Sequence, residues 1–255
     1  MTTVPAQLTA LVTGAASGIG AACAHRLAAD GITVLAVDRD AERVKAMAQD
    51  HSHHGRGAIE PIAMDLADLD AVAALPTGID ILVNNAGIQH VAPIVDFPPE
   101  RFGLILRLML ESPFRLMQHV LPHMYGRGWG RIVNVSSVHG LRASPFKSAY
   151  VTAKHGLEGL SKVAALEGAE HGVTSNCVNP GYVRTPLVEG QLADQARTHG
   201  ISEDEVLETV LLAPMAVKRL IEPGEVAELV AFLCGPSAAS ISGTSVAMDG
   251  AWTAH

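Results

Sequence analysis

A tyrosine and a lysine four positions apart, Tyr150 and Lys154, have the clearest potential for chemistry in this sequence. On a helix they lie one turn apart on the same face. An ammonium group held near a phenol favours the phenolate, so we expect Lys154 to lower the Tyr150 pKa below its reference value of about 10. Such a phenol is a general acid and base near neutral pH. The pair alone is a weak signal, because many exposed helices contain one.

A serine hydroxyl group precedes this pair at the end of a predicted strand. The apolar run 131–137 predicts a buried strand that ends in Ser136 and Ser137. Open α/β sheets bind their ligands at the carboxyl ends of the strands. Ser137 is therefore expected where such a sheet binds its ligand.

Length and composition narrow the class of protein. The chain has 255 residues, of which 48% are apolar and 17% charged, with a net charge of -8. This length suits one large α/β domain with a sizeable core. The negative net charge argues against a nucleic-acid partner, because binding nucleic acid requires a basic surface. No run approaches the roughly 18 apolar residues of a membrane span, and no signal peptide is visible. We expect a soluble cytoplasmic protein without a membrane partner.

Neither the cysteines nor the histidines predict a metal site. The cysteines are odd in number, far apart and set in apolar patterns: Cys23, Cys177 and Cys234. This indicates reduced core residues of a cytosolic protein. A histidine cluster precedes Gly55: His51, His53 and His54. No matching ligands follow at a recognisable spacing, so a solvated turn is the better interpretation and metal binding the alternative.

The N-terminal region has the pattern of a dinucleotide-binding unit. An apolar run, 8–13, leads into a glycine-rich turn and then into helix formers at 21–29. Glycines let the backbone approach a pyrophosphate, and a helix N-terminus supplies N–H groups and positive potential. The spacing is GxxxGxG rather than GxGxxG, and an ordinary turn is the alternative. The candidate cofactor residues in this turn are Gly14, Ser17, Gly18, Ile19 and Gly20.

An acidic residue follows the second predicted strand, 32–37. This residue, Asp38, lies eighteen positions after Gly20. A carboxylate there can accept hydrogen bonds from the adenosine ribose hydroxyls, and it repels a 2′-phosphate. The position favours NAD over NADP. Arg39 is the complication, because an adjacent guanidinium group could bind such a phosphate.

Two more predicted strands, 58–64 and 79–83, end at the same rim. Asp65 and Leu66 follow the first of them and could meet the adenine, and Asn85 follows the second and could meet the ribose. Gly87 permits close backbone approach. The block 98–125 is predicted to be mostly helical, with its methionines in core packing: Met109, Met117 and Met124.

Together, several motifs resemble the classical short-chain dehydrogenases/reductases: Thr13-Gly14-xxx-Gly18-Ile19-Gly20, Asn84-Asn85-Ala86-Gly87, Ser137, Tyr150-xxx-Lys154 and Asn179-Pro180-Gly181. The resemblance covers essentially the whole chain. It implies a single α/β domain, 1–255, with a three-layer, doubly wound Rossmann-type sheet of seven parallel strands flanked by helices, usually in a homotetramer. It also implies that Tyr150 is the acid/base, that Ser137 bonds the reacting oxygen and that Lys154 holds the nicotinamide ribose.

The last predicted elements complete this domain. After a strand at 173–178, the turn 179–185 passes over the nicotinamide side and adds four cofactor candidates: Pro180, Gly181, Val183 and Thr185. The segment 186–220 is predicted to be a helical lid, with a capping box at Ser202 and Glu205. Ordinary helical packing is the alternative. A helix at 223–233 and a strand at 244–248 follow.

Other stretches resemble the D-3-hydroxybutyrate dehydrogenases within this family: 85–93, 139–140, 147–150, 154–156, 185–188 and 249–254. In that group a carboxylate is held by two glutamines, a histidine and a lysine, and the matching positions here are Gln89, His139, Lys147 and Gln191. The resemblance implies reversible oxidation of (R)-3-hydroxybutyrate to acetoacetate, with hydride transfer to NAD.

The residue types support a small carboxylate substrate independently. Lys147 comes one turn before Tyr150, and His139 two residues after Ser137. A cation with amide and imidazole donors suits a small anion. The alternatives are a solvated lysine, a loop histidine and surface glutamines.

Two departures from the family pattern bear on function. Met109 stands where classical members carry an asparagine of the proton relay, and Tyr182 stands where close relatives often have tryptophan. The alternative functions are another short-chain reductase, acting on a 3-oxoacyl thioester or a sugar or polyol, and a non-catalytic nucleotide-binding scaffold.

Overall fold

Seven strands form one sheet in the computed structural model. The structure describes residues 5, 7–51 and 56–254, apart from the side chains at 51, 191, 194, 195, 198 and 199. The strands are β1 (Thr9–Thr13), β2 (Thr33–Asp38), β3 (Ile59–Ala63), β4 (Ile81–Asn84), β5 (Gly130–Val135), β6 (Val173–Pro180) and β7 (Ser245–Met248). Their order is β3-β2-β1-β4-β5-β6-β7, and every pair of neighbours is parallel.

The α-helices are α1 (Gly18–Ala29), α2 (Ala41–His51), α3 (Pro99–Leu106), α4 (Ser112–Arg127), α5 (Ser148–Gly168), α6 (Pro186–His199), α7 (Glu203–Val206) and α8 (Pro223–Cys234). A π-helical turn, Arg107–Glu111, joins α3 to α4, and another, Leu207–Leu211, follows α7. The predicted helical block 98–125 is therefore interrupted in its middle. No helix within the described parts of the chain combines the length and the apolar character that crossing a membrane requires.

The sheet is buried on both faces, because helices cover each of them. Leu11 packs with α4 and α5 on one face, and Val12 packs with α1 and α8 on the other. A parallel sheet covered on both sides requires nearly continuous apolar strands, which explains why short apolar runs predicted them. The predicted three-layer fold with seven parallel strands is confirmed.

Two predicted boundaries at the site were wrong. The strand 131–137 is two residues too long, because β5 ends at Val135. Ser137 instead begins a 3-10 turn, Val138–Gly140, in which its Oγ accepts a hydrogen bond from His139 N at 3.1 Å. The helix predicted at 21–29 begins earlier, so the second half of the glycine-rich turn is the first turn of α1.

The segment predicted as a lid is helical only in part. Helices α6 and α7 and the second π turn cover it as far as Leu211, and the remainder is irregular. The predicted capping box is confirmed, because Ser202 Oγ accepts from Glu205 N at 3.3 Å and Glu205 Oε2 accepts from Ser202 N at 2.9 Å.

The strand order creates a crevice between β1 and β4. The chain runs outward from β1 to β3 on one side and from β4 to β7 on the other, so the order reverses there. Ligands bind at such switch points, outside the carboxyl ends of the strands. The segments that follow β1, β4, β5 and β6 are therefore brought to one edge of the sheet.

Gly20 lets α1 pack closely against the turn that follows β1. A Cβ atom at Gly20 would overlap with Gly14 O, and Gly14 itself has a φ of +64°. Two chain segments therefore meet at a distance that only glycine permits.

We expect Gly20→Ala to destabilise the fold by about 1–3 kcal/mol, because the backbone of α1 must shift to avoid overpacking. Gly103→Ala is the matched control: Gly103 lies in α3 with no atom within 4 Å of the place that an alanine methyl group would occupy, and alanine should gain about 0.5–1 kcal/mol there. Denaturant unfolding measures both changes. Equal stability of the two variants would contradict the packing role of Gly20.

Candidate active site

A main cleft of about 200 Å³ opens over the carboxyl ends of β1, β4, β5 and β6. Most of the predicted cofactor residues line it: Gly14, Ser17, Gly18, Ile19, Asp38, Asn85, Gly87, Tyr150, Lys154, Pro180, Gly181, Val183 and Thr185. An outer cavity of about 350 Å³ shares Gly14, Ser17 and Asp38 with it and contains Asp65 and Leu66. Gly20 lines neither of these cavities. Its contact with the cofactor stays a prediction, whereas its close packing against Gly14 O is a feature of the fold.

The Asp38 carboxylate is fixed by the backbone around it. Its Oδ2 accepts a hydrogen bond from Ala16 N at 3.0 Å, and its Oδ1 accepts one from Asp40 N at 3.0 Å. The carboxylate is thereby tied to the glycine-rich turn and faces both cavities. Arg39 and Arg43 also line the outer cavity.

Asn85 holds the glycine-rich turn as well as lining the main cleft. Its Nδ2 donates to Thr13 O at 2.9 Å and to Gly14 O at 3.2 Å, and its backbone N donates to Thr13 Oγ1 at 2.9 Å. The turn after β1 and the turn after β4 are thus joined across the crevice.

The main cleft and the outer cavity together suit a dinucleotide. Ser17 is the N-cap of α1 and makes no side-chain capping hydrogen bond, so the start of the helix can donate to a pyrophosphate. A Cβ at Gly14 would lie 2.9 Å from Ala86 Cα, so glycine lets the turn after β1 pack closely against the turn after β4. Asp38 ends β2 and lines the main cleft, and its contact with an adenosine ribose stays a prediction.

The start of α5 places the tyrosine and the lysine on one side of the main cleft. Tyr150 is partly exposed to the cleft, whereas Lys154 is only 4% exposed. Lys154 Nζ donates to Val135 O at 2.6 Å and lies 5.5 Å from the centroid of the Tyr150 ring. Ser137, after β5, lines the same cleft.

The expected lowering of the Tyr150 pKa is wrong for the protein without a bound cofactor. Burial raises the pKa of Tyr150 to about 12, while a hydrogen bond from Ser137 acts in the opposite direction and Tyr182 adds to the rise. Burial also lowers the pKa of Lys154 to about 8. Removing the phenol from water outweighs the hydrogen bond from Ser137, because desolvation disfavours the charged form of the phenol.

A small pocket of about 50 Å³ lies beside Tyr150, next to the main cleft. Its lining includes Gln89, Ser137, His139, Lys147, Tyr150, Tyr182, Leu187, Val188 and Trp252. Three of the predicted carboxylate contacts, Gln89, His139 and Lys147, are thus brought together. The fourth, Gln191, belongs to α6, but its side chain lies outside the described residues.

The small pocket combines a buried cation with a neutral imidazole. Lys147 is 4% exposed, its Nζ donates to Tyr182 Oη at 3.0 Å, and burial lowers its pKa to about 8. Burial, with a smaller effect from Lys147, lowers the pKa of His139 to about 3. The His139 ring nitrogens lie 2.9 Å from Ser144 Oγ and 3.4 Å from Ser137 Oγ.

Tyr182, which stands where close relatives often have tryptophan, has a contact with Lys147 that the sequence did not predict. The Tyr182 ring stacks on Trp252 at 5.7 Å, and the His139 ring meets Trp252 edge-on at 5.6 Å. Leu187 and Val188 line both the main cleft and the small pocket and were also missed. Their position directly after Thr185, in the first turn of α6, is the signal that could have identified them.

Strained backbone immediately precedes two residues of the small pocket. Among the described residues, the non-glycine positions with positive φ are Phe146 and Ala251, each at 67°. They come directly before Lys147 and Trp252. Such conformations cost about 1–3 kcal/mol and persist where surrounding contacts enforce them, typically at functional sites. The pocket is therefore built at some cost to local stability.

Met109 is buried in the π turn between α3 and α4, with 1% of its surface exposed. It lines the main cleft and also a cavity of about 10 Å³ that it shares with Asn84, Ser112 and Lys154. An apolar thioether therefore stands near Lys154 where classical members carry an amide. Met117 and Met124 pack in the core, as predicted.

The structure assigns no metal site to the described part of the chain. No group of three or more histidine, cysteine, aspartate or glutamate side chains is arranged there to hold an ion. The cysteines are free and buried, and burial raises the pKa of each thiol. The predicted histidine cluster lies outside the described residues at His53, His54 and the His51 side chain.

Known proteins similar to this chain share its full length. The family model described as short chain dehydrogenase matches residues 8–196. The D-beta-hydroxybutyrate dehydrogenase of Rhizobium meliloti (strain 1021) is 46% identical over 97% of this chain and 99% of its own. The protein of the same name from Cupriavidus necator is 44% identical over 97% of this chain and 98% of its own.

A solved structure agrees over the same length. A putative NAD(P) dependent gluconate 5-dehydrogenase from Beutenbergia cavernae, with bound NADP, has a TM-score of 0.86 and 34% identity. The match covers 97% of each chain.

We expect Tyr150 to remain protonated at about pH 10 in the protein without cofactor, where an ordinary tyrosine is half ionised. Ultraviolet difference absorbance between the wild type and Tyr150→Phe measures this, since the variant removes only that phenol. The two proteins should give the same phenolate signal up to that pH. A phenolate signal near pH 8 that the variant lacks would show that Lys154 outweighs burial.

Proposed function

This chain belongs to the short-chain dehydrogenase family, and from that premise we propose that it is an NAD-dependent dehydrogenase that interconverts (R)-3-hydroxybutyrate and acetoacetate. The observation that carries the proposal is the buried Lys147 ammonium group in the small pocket beside Tyr150. The D-beta-hydroxybutyrate dehydrogenases among its relatives support the same substrate.

The charge of the small pocket favours a carboxylate. A buried cation is costly unless an opposite charge or several hydrogen bonds compensate it. Lys147 has the Tyr182 hydroxyl as a partner, and a substrate carboxylate would supply the missing negative charge. A long acyl thioester would have little use for a buried ammonium group there, and at about 50 Å³ the small pocket favours a short molecule.

Tyr150 exchanges the proton in the proposed reaction. In the reductive direction the phenol donates its proton to the keto oxygen, to which the Ser137 hydroxyl also donates a hydrogen bond. Lys154 stabilises the phenolate that results. When bound, the nicotinamide supplies or accepts the hydride. Because burial raises the Tyr150 pKa, the phenol form predominates at neutral pH, and alcohol oxidation should speed up as pH rises.

The proposed preference for NAD depends on Asp38. Two backbone hydrogen bonds fix its carboxylate at the junction of the main cleft and the outer cavity, where it would repel a 2′-phosphate. Arg39 and Arg43 line the outer cavity, where a guanidinium group could bind the 2′-phosphate of NADP. NADP is bound in the structure of the Beutenbergia cavernae protein. A carboxylate held in place by the glycine-rich turn favours NAD.

We further propose that α6 acts as a lid and that the protein is a homotetramer. Leu187 and Val188 bring the first turn of α6 over both cavities, and the predicted carboxylate contact Gln191 belongs to the same helix. Large apolar side chains are exposed on α4 and α5, including Phe114, Val163 and Leu166 at 49%, 50% and 79%. Such surfaces are typical of subunit contacts.

Replacing the acid/base should abolish turnover without loss of the cofactor. We expect Tyr150→Phe to lower kcat for acetoacetate at least about 100-fold, since general acid catalysis is removed. NADH binding, measured by fluorescence, should persist. Tyr125→Phe is the matched control, because Tyr125 stacks on His171 and lines neither the main cleft nor the small pocket.

The same assay tests the cofactor and the substrate. NADH oxidation by the wild type should greatly exceed NADPH oxidation with acetoacetate. Turnover of a sugar ketone but not of acetoacetate would favour another reductase. Full activity of Tyr150→Phe would refute the assignment of the acid/base.

Replacing the buried lysine should weaken substrate capture. Lys147→Ala should raise KM for acetoacetate about 30-fold, which corresponds to about 2 kcal/mol. KM for methyl acetoacetate, which has no charge, should change little. Lys162→Ala is the control, because Lys162 is exposed on α5, the helix that begins directly after Lys147.

The wild type should show the same interaction in its pH dependence. The pKa of Lys147 is about 8 without ligand, so the ammonium form is present below that pH and is lost above it. KM for acetoacetate should therefore rise above about pH 8. An equal rise for the ester would exclude Lys147 as the carboxylate contact.

A further inference from the structure

A carboxylate is buried one helical turn beyond Lys154, away from the cavities of the site. Glu158 on α5 is 6% exposed and lines none of the main cleft, the outer cavity and the small pocket. Buried carboxylates are rare unless they are paired or fully hydrogen-bonded. The proposed mechanism does not use this residue.

Both oxygens of the Glu158 carboxylate accept short hydrogen bonds. Oε1 accepts from Asn179 Nδ2 at 2.5 Å, and Oε2 accepts from Ser245 Oγ at 2.6 Å. Asn179 Nδ2 also donates to Ser137 O at 2.9 Å. One fully buried amide group therefore connects the glutamate on α5 to the backbone of Ser137, after β5.

The turn that carries His139 packs against the same carboxylate. A Cβ atom at Gly140 would lie 2.7 Å from Glu158 Oε1 and 2.5 Å from Ser136 Oγ. The backbone of the 3-10 turn therefore approaches Glu158 as closely as glycine allows. Ser137 begins this turn. Its position therefore depends on the glutamate through the hydrogen bonds of Asn179 and through the close packing at Gly140.

Glu158 also acts on the charge of Lys154. The groups that face Lys154 are Tyr150 and Glu158 from α5, Cys177 from β6 and the Val135 carbonyl from β5. Burial lowers the Lys154 pKa, and Cys177 and Glu158 raise it. Within the described residues no ion pair joins Glu158 to Lys154, so the carboxylate acts without direct contact.

We propose that Glu158 is a positioning residue that fixes Ser137 through Asn179 and keeps Lys154 charged for catalysis. The inference rests on the proposed function, because Ser137 and Lys154 have these roles only in a dehydrogenase. Its two parts, position and charge, are separable by two substitutions at one site.

Glu158→Gln removes the charge and keeps the shape. The amide oxygen can still accept from Asn179, and the amide N–H can donate to Ser245. We expect kcat for acetoacetate reduction below about pH 7 to stay within about threefold of the wild type. The fall of kcat at high pH, where Lys154 loses its proton, should move down by about half a pH unit or more. The measurement is made at saturating acetoacetate, so that the effect of Lys147 on KM does not alter the result.

Glu158→Leu removes the hydrogen bonds as well. We expect kcat to fall about tenfold or more across the whole pH range, because Ser137 loses its anchor, while the dissociation constant of NADH stays the same. At low pH, kcat of Glu158→Gln should exceed kcat of Glu158→Leu. This difference would separate the positioning role of Glu158 from the role of its charge. Glu167→Gln is the control, since Glu167 is exposed on the same helix.

Lysine side-chain NMR of the cofactor-free protein tests the charge part without any substrate. The resonance assigned to Lys154 should titrate at lower pH in Glu158→Gln than in the wild type. If Glu158→Leu does not fold, this titration and the Gln pH profile still decide the charge part.

The possible failures are distinct. A wild type that does not reduce acetoacetate would refute the proposed function, while the NMR titration would still test Glu158. Suppose that the wild type is active, and that Glu158→Gln leaves unchanged both the titration of Lys154 and the pH at which kcat falls. That result would overturn the charge part of the inference. Wild-type kcat in Glu158→Leu would overturn the positioning part.

Discussion

Two lysines are taken out of water at the start of a single helix, and the chemistry of the site depends on how each is compensated. Lys147 and Lys154 are each 4% exposed, and burial lowers the pKa of both to about 8. Within the described residues, Lys147 donates to the neutral Tyr182 hydroxyl and Lys154 to the neutral Val135 carbonyl. Neither acceptor is charged, and Glu158 acts on Lys154 without direct contact, so each ammonium group can still stabilise an anion. In the proposed reaction those anions are the substrate carboxylate and the Tyr150 phenolate.

The fold makes this possible by bringing loops from distant parts of the chain to one edge of the sheet. The switch point between β1 and β4 places the glycine-rich turn next to Asn85, and β5 and β6 add Ser137 and Gly181. Helix α5 packs on one face of the sheet, and residues at its start line the small pocket and the main cleft. Phe146 and Ala251, which have positive φ, precede Lys147 and Trp252 of the small pocket. Placing these two residues therefore lowers the local stability of the backbone.

Local patterns in the sequence were sufficient for much of the fold. The apolar runs predicted the strands because both faces of the sheet are covered, and the capping box at Ser202 depends only on residues three apart. The direction of the Tyr150 pKa shift was not predictable, because burial depends on residues from several other segments. The Tyr182 contact with Lys147 spans 35 positions and Glu158 to Ser245 spans 87, so neither leaves a pattern in neighbouring residues. The packing role of Gly20 was not predictable, because a glycine that supports a turn and one that contacts a ligand look alike in sequence.

A crystal structure of the complex with NAD and acetoacetate would show whether Lys147 binds the substrate carboxylate. We expect this carboxylate at about 2.7–2.9 Å from Lys147 Nζ, as in a charge-assisted hydrogen bond. The keto oxygen should lie within hydrogen-bonding distance of both Tyr150 Oη and Ser137 Oγ. A carboxylate outside the small pocket, with Lys147 still bonded only to Tyr182, would contradict the proposed role of Lys147.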